Sequence, residues 1–441
     1  MGDVPVHPGA GAVRGLPATN PGVLAAVHSR LTRRVETFDA VAIGLGAMVG
    51  AGIFAALAPA ARVAGAGLLI GLGVAGFVAY CNATSSARLA AIYPESGGTY
   101  VYARRRLGEL WGFLAGVGFL VGKLASCAAM ALTFGHYVAP AAARPLAVGA
   151  TVALTCVNLL GIEKTAGVTK AVVALVLASL VAFVAAALLG GTVSTGHLSS
   201  FGHAGPIDVL RSAGLLFFAF AGYARIATLG EEVVDPARTI PRAISTALGL
   251  ALAAYLVVAV AALLAAGPSV LARSDAPLRA ALELGSTAAV VPAVQVGAAV
   301  ASLGVLLSLL AGVSRTAFAM AANGDLPRRL AAVHRRTRVP HVAELAAGAI
   351  VVAVVATADI RSAIGFSSFC VLVYYALANA AALTLRRDAG KAALAALGLA
   401  GCIVLACTLP ATSVVGGSAA IGAGLVAYTL RRALQRSGPT A

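Results

Sequence analysis

The sequence has 441 residues, of which 60% are hydrophobic and 11% charged, and its mean hydropathy is +0.93. Soluble globular domains carry about 25% charged residues, so this composition excludes the soluble class and indicates an integral membrane protein. The net charge of +16 fits loops that orient the chain against anionic lipid, and nucleic acid is not an expected partner.

Residues 1–37 contain Pro5, Pro8, Pro17 and Pro21 and no apolar run long enough for a signal peptide. We expect a disordered cytoplasmic tail here and a second, short cytoplasmic tail at residues 434–441.

Charged residues divide the rest of the chain into long apolar runs. At roughly 20 residues per crossing, the last run holds two helices, so the sequence predicts an all-α membrane protein with twelve transmembrane spans. The runs are residues 40–61, 63–87, 110–143, 145–162, 171–190, 212–234, 243–267, 288–314, 342–358, 362–385 and 392–430.

Lysines and arginines are concentrated in alternate loops, such as residues 104–106 and 328–338. The positive-inside rule therefore places both termini in the cytoplasm and the chain in the cell membrane as a multi-pass protein. The basic residues left on the outer face are Arg62, Arg144, Arg211, Arg273, Arg279 and Arg361.

Two predicted spans are interrupted by glycine, at residues 44–54 (GLGAMVGAGIF) in span 1 and 217–223 (FFAFAGY) in span 6. Unwound backbone in a bilayer costs several kcal/mol per unpaired group, so it is tolerated only where it lines a cavity. Paired breaks of this kind are typical of the binding site of a transporter. Close helix packing is the alternative explanation of the glycines.

Spans 1–5 (residues 38–190) and 6–10 (residues 207–387) follow the same plan in opposite orientation. Each set begins with an acidic residue, Asp39 or Asp208, which suits the positive end of a helix dipole, and each then breaks within its first span. We predict a five-plus-five inverted repeat, with spans 11 and 12 (residues 392–433) outside it.

Hydrophilic loops connect several spans. Those at residues 93–106, 231–242 and 323–340 are expected to tether helices on the cytoplasmic side, and the external segment at residues 267–291 is expected to form a short lid helix.

Four motifs resemble those of the amino acid, polyamine and organocation (APC) transporter superfamily. They are GAGIF at residues 50–54, PESGGTY at 94–100, FFAFAGY at 217–223 with EEVVDP at 231–236, and MAANGDLP at 320–327. Within the superfamily, the chain is similar to the cationic amino acid transporter branch and its bacterial relatives. This resemblance implies a membrane permease for amino acids with broken spans 1 and 6.

An amino acid needs hydrogen-bond donors for its carboxylate and acceptors for its ammonium group. The break in span 1 frees amide N–H groups at the start of a half-helix, and the break in span 6 frees carbonyls. The predicted substrate-binding residues are Ala47, Met48, Val49, Gly50, Ala51, Gly52, Ile53, Phe220, Ala221, Gly222 and Tyr223.

Lys123 is the single charge inside the third apolar run. A cation at membrane depth is costly and should face a cavity or a partner. Burial disfavours the charged form of an amine, so Lys123 is a candidate proton carrier. The alternative is a lysine fixed by backbone carbonyls of a broken helix.

The sequence departs from proton-coupled relatives in span 5, where the stretch around Val176 is wholly apolar, and Lys170 lies about two turns earlier. Each Asp and Glu falls at a helix end or in a loop, which leaves little for a sodium site. Proton symport, exchange and transport without an ion therefore stay open.

Arg225 follows the second break and is predicted to form an inner gate with Glu231. The histidines and cysteines lack the spacing of metal ligands, and no catalytic pair lies at membrane depth, so neither a metal, a cofactor nor an enzyme is expected.

The favoured function is secondary active transport of an amino acid by alternating access. A polyamine or organocation transporter of the same fold is the alternative, and a non-transporting channel or scaffold is the alternative from another class. The absence of an acidic residue at midplane and the presence of Lys123 favour a neutral side chain on the substrate, whereas the resemblance favours a cationic one.

Overall fold

A computed structural model describes residues 36–93, 97–161, 166–199, 201–227, 233–385 and 388–437. The first half of this part of the chain is built from α1 (Thr37–Met48), α2 (Ala51–Ala55), α3 (Leu57–Ala64), α4 (Leu68–Ile92), α5 (Thr99–Leu107), α6 (Glu109–Val138), α7 (Ala143–Leu159) and α8 (Ala166–Leu189). The second half contains α9 (Pro206–Phe220), α10 (Ala224–Ala227), α11 (Pro236–Arg273), α12 (Pro277–Glu283), α13 (Val291–Ala322), α14 (His341–Thr357), α15 (Ile360–Leu383), α16 (Ala389–Thr408) and α17 (Ala411–Ser437).

Eleven helical segments of the described residues are long and apolar enough to cross a membrane, and α14 is a shorter apolar helix of 17 residues. Twelve crossings and the positions of the termini stay predictions. The last apolar run is divided at Leu409 and Pro410, because proline lacks the N–H that a continuous helix requires. The predicted tail at residues 1–37 lies almost wholly outside the described residues.

The centre of the bundle is formed by α6, which packs against α13 and α15. The broken segment α1–α3 packs against α9 and α11, and α4 lies behind α9. By contrast, α17 is mostly exposed, as expected for a helix at the lipid-facing periphery. Both breaks therefore lie within the central packing, which is where irregular backbone is tolerated.

The segment at residues 267–291, which is predicted to be external, contains a short helix, as the sequence predicts. Gly267 adopts a positive φ of 73°, which turns the end of α11 away from its crossing portion, and α12 follows. Leu278 of α12 is buried, and its N–H donates to the Tyr137 hydroxyl at 3.3 Å. That hydroxyl donates to the Phe54 carbonyl at 2.8 Å, so α12 is docked onto the first broken helix.

Two of the predicted tethering loops, at residues 93–106 and 323–340, meet at Asp325. The Tyr100 hydroxyl and the Arg104 guanidinium each reach one carboxylate oxygen at 2.7 Å, and Arg431 of α17 reaches the other at 3.1 Å. Burial, and then the neighbouring carboxylate, raise the pKa of Tyr100, which keeps it a neutral donor. The network thereby joins α5, the loop after α13 and the last helix.

Candidate functional site

The first break separates α1 from α2. Met48 ends α1, Val49 and Gly50 are non-helical, and α2 begins at Ala51. Gly50 N–H donates to the Met48 carbonyl at 2.7 Å, which closes a tight turn. A helix leaves the N–H groups of its N-cap and first three residues without intrahelical acceptors, so α2 presents the amides of residues 51–53 at this point, together with its positive dipole end.

The second break is a 3₁₀ turn over Ala221–Tyr223 between α9 and α10. It crosses the first break at very short range. A Cβ at Gly222 would lie 2.2 Å from the Ala47 carbonyl oxygen and 2.7 Å from the Met48 nitrogen. One at Gly52 would lie 2.5 Å from Ala219 Cα. Glycine is required at both positions because the two backbones touch there.

Carbonyls at the two breaks are occupied by side chains that the sequence analysis did not select. The Tyr255 hydroxyl lies 2.6 Å from the Met48 oxygen and 3.0 Å from the Ala219 oxygen. The Tyr375 hydroxyl lies 3.2 Å from the Ala221 oxygen. Both tyrosines are fully buried. A hydroxyl in the middle of an otherwise apolar span is the signal that could have identified them.

Lys123 lies at the second break. Its side chain is buried, and its ammonium nitrogen is 3.2 Å from the Ala221 oxygen, the same atom that Tyr375 contacts. The structure therefore places the predicted cation beside the predicted acceptor for a substrate ammonium. Cys127 lies one turn further along α6 and is also buried.

The remaining predicted binding residues surround this crossing. Met48, Val49 and Ile53 are buried, and a Cβ at Gly50 would lie 2.5 Å from Val305 Cγ2. Of Ala51, only the backbone position is described. Ala47 and Gly222 form the contact between the breaks, and Ala221 is buried with its carbonyl oxygen near Lys123 and Tyr375.

Aromatic rings enclose the crossing. Phe220 packs on Tyr255 with ring centroids 5.2 Å apart, and Tyr223 stacks on Tyr375 at 5.1 Å. Phe54 meets Tyr137 edge to face at 5.7 Å. The predicted aromatic residues thus pair with tyrosines of neighbouring helices, which is a packing role in this conformation.

The predicted inner gate is only half described. Arg225 lies in α10 with an exposed side chain, whereas Glu231 lies outside the described residues.

Glu344 adds a buried carboxylate at the start of α14, where it accepts from the Asn158 amide at 2.7 Å. The sequence places Glu344 correctly at a helix end but does not predict its burial.

Comparison with known proteins agrees with this geometry. A sequence model of the family described as "Amino acid permease" matches residues 35–429. An uncharacterized transporter of Mycobacterium tuberculosis is 60% identical over 93% of this chain and 94% of its own length. The branched-chain amino acid permease BcaP of Bacillus subtilis is 28% identical over 71% of this chain and 72% of its own. Human cationic amino acid transporter 4 is 28% identical over 82% of this chain and 61% of its own.

Proposed function

We propose that this chain, which belongs to the amino acid permease family, moves an amino acid across the cell membrane by alternating access around the two crossed breaks. The observation that carries the proposal is the contact at Gly222, where the second break lies against the Ala47 carbonyl and the Met48 amide with no room for a side chain. Backbone donors and acceptors are thereby concentrated at one buried point, as a zwitterion requires.

The two charged ends of an amino acid would bind at opposite sides of this crossing. The free amides of α2 suit the carboxylate, because N–H groups and the helix dipole both favour an anion. The Ala219 and Ala221 carbonyls suit the ammonium group. Those carbonyls accept from Tyr255, Tyr375 and Lys123 in this conformation, so we expect a substrate to take over part of these bonds.

Lys123 is proposed to couple the substrate to protons. A substrate ammonium approaching the Ala221 oxygen would stand next to the Lys123 ammonium, and two cations in a low-dielectric site repel strongly. Loss of one proton from Lys123, which converts its ammonium to a neutral amine, removes that repulsion. In a symporter the proton released from Lys123 must leave on the side to which the substrate is delivered, and uptake of a proton from the opposite side resets the amine. Release of the proton to the side from which the substrate enters would make the cycle a proton–substrate exchange, and an exchanger that retains the proton uses the same site.

The inner end of the pathway is proposed to close through Arg225 and Glu231. Arg225 follows the second break directly on α10, so a change in the angle of α10 would move it relative to the loop that carries Glu231. Ion pairs at such hinges are a common means of stabilising one end of an alternating-access pathway.

Ligand binding to purified protein tests the proposed site. We expect at least one amino acid from a full panel to raise the unfolding temperature, because a ligand that binds only the native state stabilises it. Gly52→Ala should abolish this effect by pushing α2 away from Ala219. Gly73→Ala is the matched control, since a Cβ at Gly73 meets no atom within 4 Å. Stabilisation of Gly52→Ala equal to that of the wild type, or binding of a polyamine and of no amino acid, would contradict the proposal.

A further inference from the structure

A cationic cavity lies on the face that the positive-inside pattern places outside the cell. It is lined by Arg62 at the end of α3, by Ser269, Ala272 and Arg273 in the part of α11 that follows Gly267, and by Arg361 at the start of α15. Its volume is about 460 Å³, which is within the range of about 300–1,000 Å³ typical of small-molecule pockets.

The charge in this cavity is only partly neutralised. Arg361 pairs with Asp275 at 3.2 Å. Within the described residues, Arg62 and Arg273 form neither an ion pair nor a hydrogen bond with another residue. Three guanidinium groups and one carboxylate give the site a local charge of about +2, and like charges around one cavity favour an anionic occupant.

Two other arginines on the same face are neutralised locally. Arg211 pairs with Asp208 at 3.5 Å, and Arg279 pairs with Glu283 at 2.7 Å. Arg144 forms no ion pair among the described residues, and its guanidinium lies 3.5 Å from the Ala356 carbonyl. The largest group of unneutralised arginines on this face is therefore the one at the cavity between α3, α11 and α15.

We propose that this arginine cavity is an outer binding site for an amino acid with an acidic side chain, which it receives before the substrate reaches the crossed breaks. Arg62 and Arg273 suit the side-chain carboxylate, since guanidinium groups bind carboxylates through two parallel hydrogen bonds. The inference rests on the proposed transport function and adds the class of substrate.

The position of the cavity connects it to that pathway. Arg62 belongs to the broken helix whose α2 segment presents the free amides, and Asp275 directly precedes α12, which is docked on Phe54 through Tyr137. An acidic substrate would thus meet positive charge at the start of this pathway, whereas a cationic one would be repelled there.

Glutamate and glutamine form the matched pair of ligands for the test, because they share size and shape and differ in charge. Their dissociation constants are measured by ligand-dependent thermal stabilisation of the purified full-length protein in uncharged detergent at low salt. We expect tighter binding of glutamate. Arg62→Gln and Arg273→Gln should each weaken glutamate roughly two- to fivefold, as expected for exposed charge pairs, and leave glutamine unchanged.

Three further variants separate a specific site from general surface charge. Arg144→Gln removes an outer arginine that does not line the cavity, so the dissociation constants of glutamate and glutamine should stay unchanged. Arg62→Lys retains the charge and should retain most of the preference. Asp275→Asn raises the local charge and should strengthen glutamate binding. Equal binding of the two ligands, or equal effects of Arg62→Gln and Arg144→Gln, would overturn the proposal.

A phospholipid headgroup is the competing occupant. Addition of phosphatidylglycerol to the detergent should leave the preference for glutamate intact. If the lipid removes the preference of the wild type for glutamate over glutamine, and does not change the binding of either ligand by Arg62→Gln, the cavity is a lipid site and the proposal is overturned. If glutamine and other amino acids bind while glutamate shows no preference, the outer site is refuted and the transport function stands. If no amino acid binds, the transport function itself fails.

Discussion

Two buried charges in this protein are held in different ways. Asp325 lies at the end of the bundle that is predicted to face the cytoplasm, where its carboxylate is met by Tyr100, Arg104 and Arg431. Lys123 lies at the crossed breaks, where one backbone carbonyl is its hydrogen-bond partner among the described residues. A fully paired buried charge stabilises one arrangement of helices, whereas a weakly paired one is free to change partner or to lose its charge. The comparison supports a structural role for Asp325 and the functional role that we propose for Lys123.

The Asp325 network should be the most sensitive to substitution. Asp325→Asn removes the buried carboxylate charge from two partly exposed guanidinium groups, of which Arg104 keeps Glu109 at 3.6 Å. We expect a loss of about 3 kcal/mol in the free energy of unfolding. Denaturant titration in detergent micelles measures this. Asp235→Asn is the control, because Asp235 is exposed and lies 3.9 Å from Arg238. This variant should lose about 1 kcal/mol or less of its free energy of unfolding. Equal losses in the two variants would remove the structural role of Asp325.

Lys123→Met should change the free energy of unfolding in the opposite direction. Replacing a buried, weakly paired cation by an apolar side chain of similar length removes a desolvation cost, and we expect the free energy of unfolding to rise by about 1–4 kcal/mol. The same titration measures it. A marked loss of stability would show that the Lys123 ammonium is a structural tie and would reverse the comparison.

Tyr255→Phe should cost about 1–2 kcal/mol in the free energy of unfolding. Its hydroxyl lies within hydrogen-bond distance of one carbonyl from each break, and a buried acceptor left without its donor costs about this amount. The substitution also removes the bridge between α1 and α9, so the variant should bind amino acids more weakly. Unchanged stability and binding would show that Tyr255 does not join the breaks.

Tyr375→Phe should have a smaller effect, about 0.5–1 kcal/mol. The Ala221 oxygen keeps Lys123 as a donor when the Tyr375 hydroxyl is removed. The double variant Lys123→Met with Tyr375→Phe removes both donors, so its cost should exceed the sum of the single effects. A strictly additive result would show that the two side chains do not share this carbonyl.

The sequence predicts the parts of the site that depend on local backbone chemistry. The breaks lie at Gly50 and Gly222, since glycine is the residue that such a backbone requires, and Lys123 is visible because a charge is rare in an apolar run. The side chains on other helices that contact the breaks and the loops cannot be predicted in this way. Tyr255, Tyr375 and Asp325 gain their roles from packing between segments that are distant in the chain. Residue spacing in a single sequence does not predict such packing.

The outer face illustrates the same limit. The predicted topology places three arginines on one side of the membrane, Arg62, Arg273 and Arg361, but it does not predict that they lie close together. Their convergence on one cavity follows from the turn at Gly267, which places the end of α11 beside α3 and α15. Composition therefore predicts the side of the membrane, and the tertiary fold determines which charges share a site.

Uptake into vesicles with an imposed pH gradient tests the central claim most directly. An amino acid that stabilises the purified protein is supplied outside, and its accumulation is compared between the wild type and Lys123→Met. We predict that the wild type accumulates the amino acid in response to the gradient, and that Lys123→Met still binds it but does not accumulate it. Undiminished gradient-driven accumulation by Lys123→Met would contradict the role of Lys123 at the crossed breaks.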